Sequence, residues 1–359
     1  MIPYWVLFFM AAWQAIARMR PIYAPTTRNN DMLIWVSFGV VLTAMIGLRY
    51  EVGGDGYTYS EHVERTVGQS IDNILKAGDP AYGVLNWIGA NIGGGIYFVN
   101  VVSAIVFTAG LIVFCRAQPR PWLALTVSIP YLIVVVAMGY TRQAVAIGLA
   151  MLAIVAVLRG RFVSFVGWIV CAALFHKTAV ILISLAVFSA RKNRFVVAAG
   201  VVAIGGLLYV LLLQEAISDL QYGYLDREYS SSGAEIRVAM NVVPGLLFLA
   251  LGRRFRLDAR VQQFWLWMSV GAVLFVPLLI FSPSSTAVDR LALYWIPLQL
   301  FVLPRLPDAL GAFGARNPSL TFSVVTYSAL VLFVWLFFAS HAYLWVPYQF
   351  YPLVYIFGY

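Results

Sequence analysis

The sequence predicts an all-α, polytopic integral membrane protein, and three observations support this fold class. Of the 359 residues, 62% are hydrophobic, and the mean hydropathy is +0.85. Only 11% are charged, against about 25% in a typical soluble domain. The apolar residues are gathered into segments long enough to cross, or nearly cross, a bilayer as helices. We therefore interpret residues 1–359 as a single transmembrane domain.

About twelve apolar spans are predicted along the chain. Several are shorter than the ~20 residues that a perpendicular helix needs, so we expect tilt, local bilayer thinning or partial insertion. Short interfacial helices are expected between some of them. The predicted spans are residues 2–17, 32–48, 96–114, 121–138, 143–158, 162–175, 178–190, 195–213, 237–251, 263–281, 290–303 and 319–339.

Lysine and arginine are distributed unevenly among the segments that connect these spans. Successive connecting segments lie on alternate sides of the membrane and so form two sets. One set holds 16 of the 24 basic residues and the other holds 8, whereas 12 of the 15 acidic residues fall in the second set. Because loops rich in Lys and Arg stay in the cytoplasm, the second set is predicted to lie outside. Both termini and the polar loops 49–95 and 214–236 then face outward. This topology explains the net charge of +9 without nucleic acid as a partner.

A charged, glycine-rich run at residues 48–59 follows the second predicted span. It contains Arg49, Glu51 and Asp55 together with three glycines. Glycine permits left-handed backbone angles and close backbone approach, so the run is predicted to be a shaped loop. Such a loop is typical of a functional site, but it is also typical of a simple connection at the membrane surface.

The rest of the first outer loop, residues 57–95, is predicted to form an interfacial lid of two short helices. The pair Asp79-Pro80 is expected to open one of them, because Asp caps a helix and Pro is tolerated in its first turn. Tyr82 and Trp87 would lay that helix along the membrane surface.

The turn between the sixth and seventh spans is predicted to lie at membrane depth. Arg161 and Arg191 are assigned to the same side but lie only thirty positions apart, whereas two full spans and a turn need about forty residues. Irregular backbone at depth is tolerated only inside protein or beside a wet cavity. His176 would therefore line an outward-facing cavity, unless residues 162–190 form one long tilted helix.

Several charged side chains at the ends of apolar spans that are distant in sequence are predicted to lie on this outer side. Arg49, Arg142 and Arg290 are the three that matter most, because charges near membrane depth are costly and tend to be functional. Guanidinium groups match phosphate oxygens at any physiological pH, so their convergence favours a lipid diphosphate. A base would accept the proton of an attacking hydroxyl, and the sequence leaves four candidates open: Glu51, Asp55, Glu64 and His176.

Other chemistries have little support in the sequence. No glycine-rich nucleotide motif is followed by Lys-Ser/Thr, and the three histidines show no paired metal spacing. We therefore expect no cofactor and no metal site, although the acidic outer loops leave metal dependence open.

Three short motifs resemble those of the EpsG family, which is similar to Wzy-type bacterial polysaccharide polymerases. They are residues 49–59, residues 142–146 and residues 175–179. The resemblance covers most of the chain in motif order and span layout. The family often has a bulky residue where Gly56 stands, so this loop is expected to be looser here.

The resemblance implies a GT-C-like membrane glycosyltransferase in the bacterial cytoplasmic (inner) membrane. It would transfer a growing glycan on undecaprenyl diphosphate to the next lipid-linked oligosaccharide repeat unit, building an exopolysaccharide or capsule. The expected partners are that lipid-linked oligosaccharide and membrane lipids, with a chain-length regulator as a further candidate partner.

The predicted site residues fall into two groups by role. Those predicted to be catalytic are Asp55, Arg142, His176 and Arg290. Those predicted to bind substrate are Arg49, Glu51, Tyr57, Gln143, Lys177 and Asp289. The aromatic segment 341–359 fits either stacking against sugar rings or an ordinary aromatic belt at the interface.

Three alternative functions stay open at this stage. A transporter or flippase for lipid-linked sugars would need unusual charges serving both faces of the membrane, and here they gather on one. A membrane acyltransferase would need an inward-facing catalytic base within a span. A non-catalytic scaffold of a synthase complex would not need the outer arginines.

Overall fold

The computed structural model describes residues 1–19, 28–54, 56–76, 78–185, 203 and 233–358. The first nine helices in that part of the chain are α1 Ile2–Ala17, α2 Arg28–Gly47, α3 Gly56–Arg65, α4 Ile71–Lys76, α5 Pro80–Asn91, α6 Gly95–Arg116, α7 Pro121–Ser128, α8 Thr141–Leu158 and α9 Phe162–Phe175. Helix α7 continues as a π-helix, Ile129–Ala137, and α9 is followed by a 3₁₀-helix, Lys177–Ile183.

The described helices after the second gap are α10 Ala234–Leu251, α11 Ala259–Phe281, α12 Ser285–Ala292, α13 Ile296–Val302, α14 Leu306–Leu310, α15 Pro318–Phe338 and α16 Tyr351–Phe357. Helices α12 to α14 run on through short 3₁₀ turns, Leu293–Trp295 and Leu303–Arg305, as one helical stretch.

Six of the described helical segments are long and apolar enough to cross a membrane, and four shorter apolar helices accompany them. The chain is therefore an all-helical, polytopic membrane protein, as predicted. These ten segments coincide closely with ten of the predicted spans. Predicted span 195–213 lies outside the described residues except at position 203, and span 178–190 is described only to residue 185. A total of twelve spans stays a prediction.

Small residues allow helices α6 and α8 to cross at close range. A Cβ on Gly110 would lie 2.1 Å from the carbonyl oxygen of Gly148, and a Cβ on Gly148 would lie 2.7 Å from Cα of Phe107. Close backbone contact of this kind is how membrane helices gain packing energy without a hydrophobic driving force between them. Of the six membrane-length segments that the structure describes, α8 is consequently the most enclosed, with 83% of its membrane-length window buried.

The segment predicted as a lid contains three short helices, α3, α4 and α5, where two were expected. An apolar cluster of Tyr59, Val63, Tyr82, Leu85 and Val99 joins α3 and α5 to the start of α6. Helix α5 begins at Pro80, as predicted, but the Asp79 side chain makes no capping hydrogen bond. Asp79 occupies the predicted N-cap position, but the capping hydrogen bond is absent because its carboxylate is directed to Arg142 and to the backbone of Lys177.

The turn after α9 has the irregular backbone that the sequence predicted. His176 is extended, with φ −157° and ψ 110°, and separates α9 from the 3₁₀-helix. The alternative of one long helix through residues 162–190 is excluded.

The C-terminal segment packs back against the loop that follows α2. Backbone hydrogen bonds join Tyr50 N to Gln349 O (3.0 Å) and Gly53 N to Leu344 O (2.9 Å). The indole Nε1 of Trp345 also donates to the carbonyl of Val134 (2.6 Å). These contacts hold the glycine-rich loop beside the end of the π-helix.

A group of charged residues holds the opposite end of the bundle together. The Arg120 guanidinium donates to both carboxylate oxygens of Asp308, at 3.1 and 2.8 Å. It also donates to the backbone carbonyls of Ala315 and Arg316. Arg305 donates to Gln118 Oε1 (2.7 Å). We call Gln118, Arg120, Arg305 and Asp308 the Arg120 cluster.

Candidate functional site

The N-terminus of α8 joins three separate parts of the protein through three consecutive residues. Thr141 Oγ1 accepts a hydrogen bond from Arg49 Nη2 (2.8 Å). Arg142 Nη1 contacts Asp79 Oδ2 (3.1 Å). Gln143 Nε2 donates to the backbone carbonyl of Arg290. Because α8 begins here, segments from the glycine-rich loop, the lid and α12 meet at one end of the bundle.

Arg142 is held in place by one carboxylate and two aromatic rings. Its guanidinium carbon lies 5.9 Å from the ring centroid of Tyr59 and 5.8 Å from that of Tyr82, within range for cation–π attraction. A cation in the first helical turn is disfavoured by the helix dipole, which Asp79 offsets. The side chain is still 34% exposed, so part of the guanidinium can meet a ligand.

Asp79 is the acidic centre of the site, and sequence reasoning missed it. The residue is 8% exposed, and its Oδ1 accepts a hydrogen bond from the backbone N–H of Lys177 (3.2 Å). Burial raises the pKa of the Asp79 carboxyl, while the charge of Arg142 and the N–H of Lys177 oppose that rise. The Asp-Pro dipeptide looked like a helix cap, and no local pattern indicated a buried carboxylate.

His176 lies beside Asp79, with its Nδ1 4.0 Å from Asp79 Oδ2 and its side chain 18% exposed. Burial, together with the positive charges of Arg142, Arg290 and Lys177, lowers the pKa of His176 to about 3. The imidazole is therefore neutral at physiological pH, and one of its ring nitrogens carries a free lone pair. We call Asp79, Arg142, His176, Lys177 and Arg290 the Arg142 cluster.

Arg290 belongs to α12, a short helix that Ser284 caps through a hydrogen bond from Ala287 N to its Oγ (3.3 Å). The Arg290 side chain is partly exposed. Its neighbour Asp289 is buried and accepts a hydrogen bond from Arg237 Nε (2.8 Å). Asp289 therefore ties α12 to α10, and its predicted contact with substrate stays a prediction.

Arg49 is 4% exposed and directed inward. Its Nε donates to the Val52 carbonyl (3.1 Å), and its Nη1 donates to the Ile46 carbonyl. With Nη2 bonded to Thr141, all three nitrogens have protein partners. This arrangement favours Arg49 as a support for the loop and for the first residue of α8.

The other predicted site residues are divided between the loop and the lid. Glu51 is exposed and has a positive φ of 50°, a conformation that is uncommon outside glycine. Glu64 is exposed in α3. Tyr57 belongs to α3, and Asp55 lies outside the described residues. Of the three candidate bases that the structure describes, Glu51, Glu64 and His176, it is His176 that lies in the Arg142 cluster.

Among the described residues, no group of three or more His, Cys, Asp or Glu side chains is arranged to hold a metal ion.

Membrane-spanning helices that end in a charged, partly exposed cluster define a polytopic membrane protein with a candidate anion-binding site. The family model for the EpsG family matches residues 32–350. The chain therefore belongs to the EpsG family, and with it to the membrane proteins of polysaccharide biosynthesis. No curated protein and no solved structure matches the chain.

Proposed function

We propose that this protein polymerises lipid-linked oligosaccharide repeat units, carried on undecaprenyl diphosphate, into an exopolysaccharide or capsule. The observation that carries the proposal is the Arg142 cluster, in which Arg142 and a neutral His176 face the same Asp79 carboxylate and the charges of Lys177 and Arg290 act on His176. Cations beside a neutral base suit a reaction in which a diphosphate departs and a hydroxyl loses its proton.

In the proposed reaction, Arg142 and Arg290 bind the diphosphate of the donor. Guanidinium groups form paired hydrogen bonds with phosphate oxygens, and both side chains are partly exposed. The acceptor hydroxyl attacks the anomeric carbon, a new glycosidic bond forms, and the bond to the diphosphate breaks. The departing diphosphate keeps the electron pair, and the arginines stabilise its added negative charge. Direct displacement of this kind inverts the anomeric configuration.

The residue that accepts the hydroxyl proton is best assigned to His176. It is unprotonated at neutral pH, and its Nδ1 lies 4.0 Å from the Asp79 carboxylate, which can stabilise the imidazolium that forms. Glu51 and Glu64 are exposed to solvent and lack this setting. Asp55 keeps its place as a second candidate base, and Arg49 acts by holding Thr141 at the start of α8.

The membrane setting fits a lipid-linked substrate. The lipid chain of the donor would lie in the bilayer, and its diphosphate would lie at the end of the helices where α8 begins. By the distribution of Lys and Arg, this end faces outward from the bacterial cytoplasmic membrane. The lid helices α3 to α5 and the aromatic C-terminal segment would cover the sugars.

The test is polymer formation by the purified protein from a defined undecaprenyl-diphosphate-linked repeat unit, followed as a ladder on a gel. Arg142→Gln and Arg290→Gln should each lower the rate by about 100-fold or more, the usual effect of removing a group that stabilises developing charge. Arg65→Gln is the matched control, because Arg65 is 66% exposed and pairs with Glu61 on the same helix. Wild-type rates in both site variants would contradict the proposal.

A further inference from the structure

The two carboxylate oxygens of Asp79 face different partners. Oδ1 accepts the backbone N–H of Lys177 at 3.2 Å, which fixes the carboxylate relative to the turn that carries His176. Oδ2 faces both Arg142 Nη1, at 3.1 Å, and His176 Nδ1, at 4.0 Å. One buried oxygen therefore lies between the proposed diphosphate ligand and the proposed base.

Helix capping does not explain this carboxylate. Asp79 occupies the N-cap position of α5 but makes no capping hydrogen bond. Its ion pair with Arg142 is a single contact to a side chain that is one-third exposed. A buried carboxylate held this way is poised to change partners.

We propose that Asp79 is a positioning residue for His176, an inference that rests on the proposed function. Asp79 holds the imidazole with Nδ1 toward its carboxylate, so that Nε2 faces the acceptor hydroxyl. A neutral imidazole has one N–H and one lone pair. A proton on Nδ1 leaves the lone pair on Nε2, where the acceptor proton must go.

During the reaction, His176 replaces Arg142 as the partner of Asp79 Oδ2. When the donor diphosphate binds, Arg142 turns from Asp79 to the phosphate oxygens. His176 then closes the gap to Oδ2 by about 1 Å, into hydrogen-bond range. The proton of the acceptor hydroxyl moves to Nε2 as the glycosidic bond forms and the bond to the diphosphate breaks. The resulting imidazolium is stabilised by the Asp79 carboxylate and then returns its proton to solvent.

The experiment is a double-mutant cycle on the full-length protein, with kcat and KM measured for the lipid-linked repeat unit. Asp79→Asn keeps the shape of the side chain and an oxygen for the Lys177 N–H, but cannot stabilise an imidazolium. It should lower kcat by about 100-fold without raising KM, because Arg142 is then released to bind phosphate. Asp79→Glu should recover part of kcat.

The double variant separates positioning from structure. If Asp79 acts through His176, Asp79→Asn combined with His176→Gln should be no slower than His176→Gln alone, because residues that act as a unit are not additive. Multiplied effects in the double variant would overturn the inference, and so would a raised KM with kcat unchanged in Asp79→Asn. Wild-type activity in Arg142→Gln and Arg290→Gln would instead reject the proposed function itself.

Discussion

The two ends of the helical bundle carry charged clusters that differ in how their arginines are bonded. In the Arg120 cluster, Arg120 and Asp308 have side chains only 8% and 5% exposed. The pair shares two hydrogen bonds, and Arg120 also donates to two backbone carbonyls. In the Arg142 cluster, Arg142 makes one contact to Asp79 and keeps 34% of its side chain exposed.

This difference separates a structural brace from a candidate site. A buried charge stays in place when its hydrogen bonds are met within the protein, and it then has little to offer a ligand. A partly exposed guanidinium beside a single carboxylate can exchange that partner for a phosphate.

The largest effect is the loss of stability expected when the Arg120 cluster is broken by substitution. Arg120→Gln leaves Asp308 buried without its charged partner and should destabilise the protein by about 3–5 kcal/mol. The measurement is the fraction that stays folded in detergent on heating. Adding Asp308→Asn should recover much of the loss, because a pair removed together leaves no lone charge. The remaining folded Arg120→Gln protein should polymerise at the wild-type rate per molecule, and a specific loss of activity would erase the distinction between the clusters.

The next effect concerns the loop that supports the Arg142 cluster. Gly53 has φ +102°, and a Cβ there would lie 2.2 Å from the carbonyl oxygen of Met138. Gly53→Ala should cost about 2 kcal/mol in strain and lower polymerase activity by moving Arg49 and Thr141. Gly54→Ala is the matched control, since its nearest neighbour is Leu344 Cδ1 at 3.6 Å. Equal activity in the two variants would mean that the loop does not position the site.

A third effect is the pH dependence of stability at the Arg142 cluster. His176 has its pKa lowered to about 3 by burial and by Arg142, Arg290 and Lys177, with Asp79 also facing it. The unfolded chain binds a proton below about pH 6.5, whereas the folded protein does so near pH 3. Stability should therefore fall as pH drops through this window, by up to about 1.4 kcal/mol per pH unit.

Melting temperatures in detergent between pH 7 and pH 4 measure this contribution. His176→Gln should flatten the wild-type dependence. His341→Gln, at an exposed histidine, should leave it unchanged. If the melting temperature depended on pH equally in wild type and in His176→Gln, the group responsible for that dependence would be a residue other than His176.

The smallest effect is expected at Lys177, a member of the Arg142 cluster. Lys177 is partly exposed, and its side chain adds charge near His176. Lys177→Gln should raise KM for the lipid-linked donor about five-fold, the size expected of a screened charge. Lys76→Gln, at an exposed lysine at the end of α4, is the control. If added salt removes the difference in KM between wild type and Lys177→Gln, the contribution of Lys177 to donor binding is electrostatic.

The membrane class and the span positions followed from the sequence because hydropathy is a local property. Ten predicted spans coincide with described helical segments, and the irregular turn at His176 was predicted from span length alone. Arg142 and Arg290 were selected because isolated charges stand out in apolar sequence. The same signal also selected Arg49, whose inward direction depends on carbonyls and a hydroxyl that sequence patterns do not reveal.

What the sequence determined by itself is a polytopic helical membrane protein with basic residues at one end suited to a phosphate. What only the tertiary structure decided is which charges meet. Asp79 and His176 are almost a hundred residues apart, and their proximity depends on how α5, α8 and α9 pack. Packing also decided that Arg120 is almost fully buried while Arg142 stays one-third exposed. Burial and hydrogen-bond partners arise from contacts between helices, and these contacts are not encoded in any single segment.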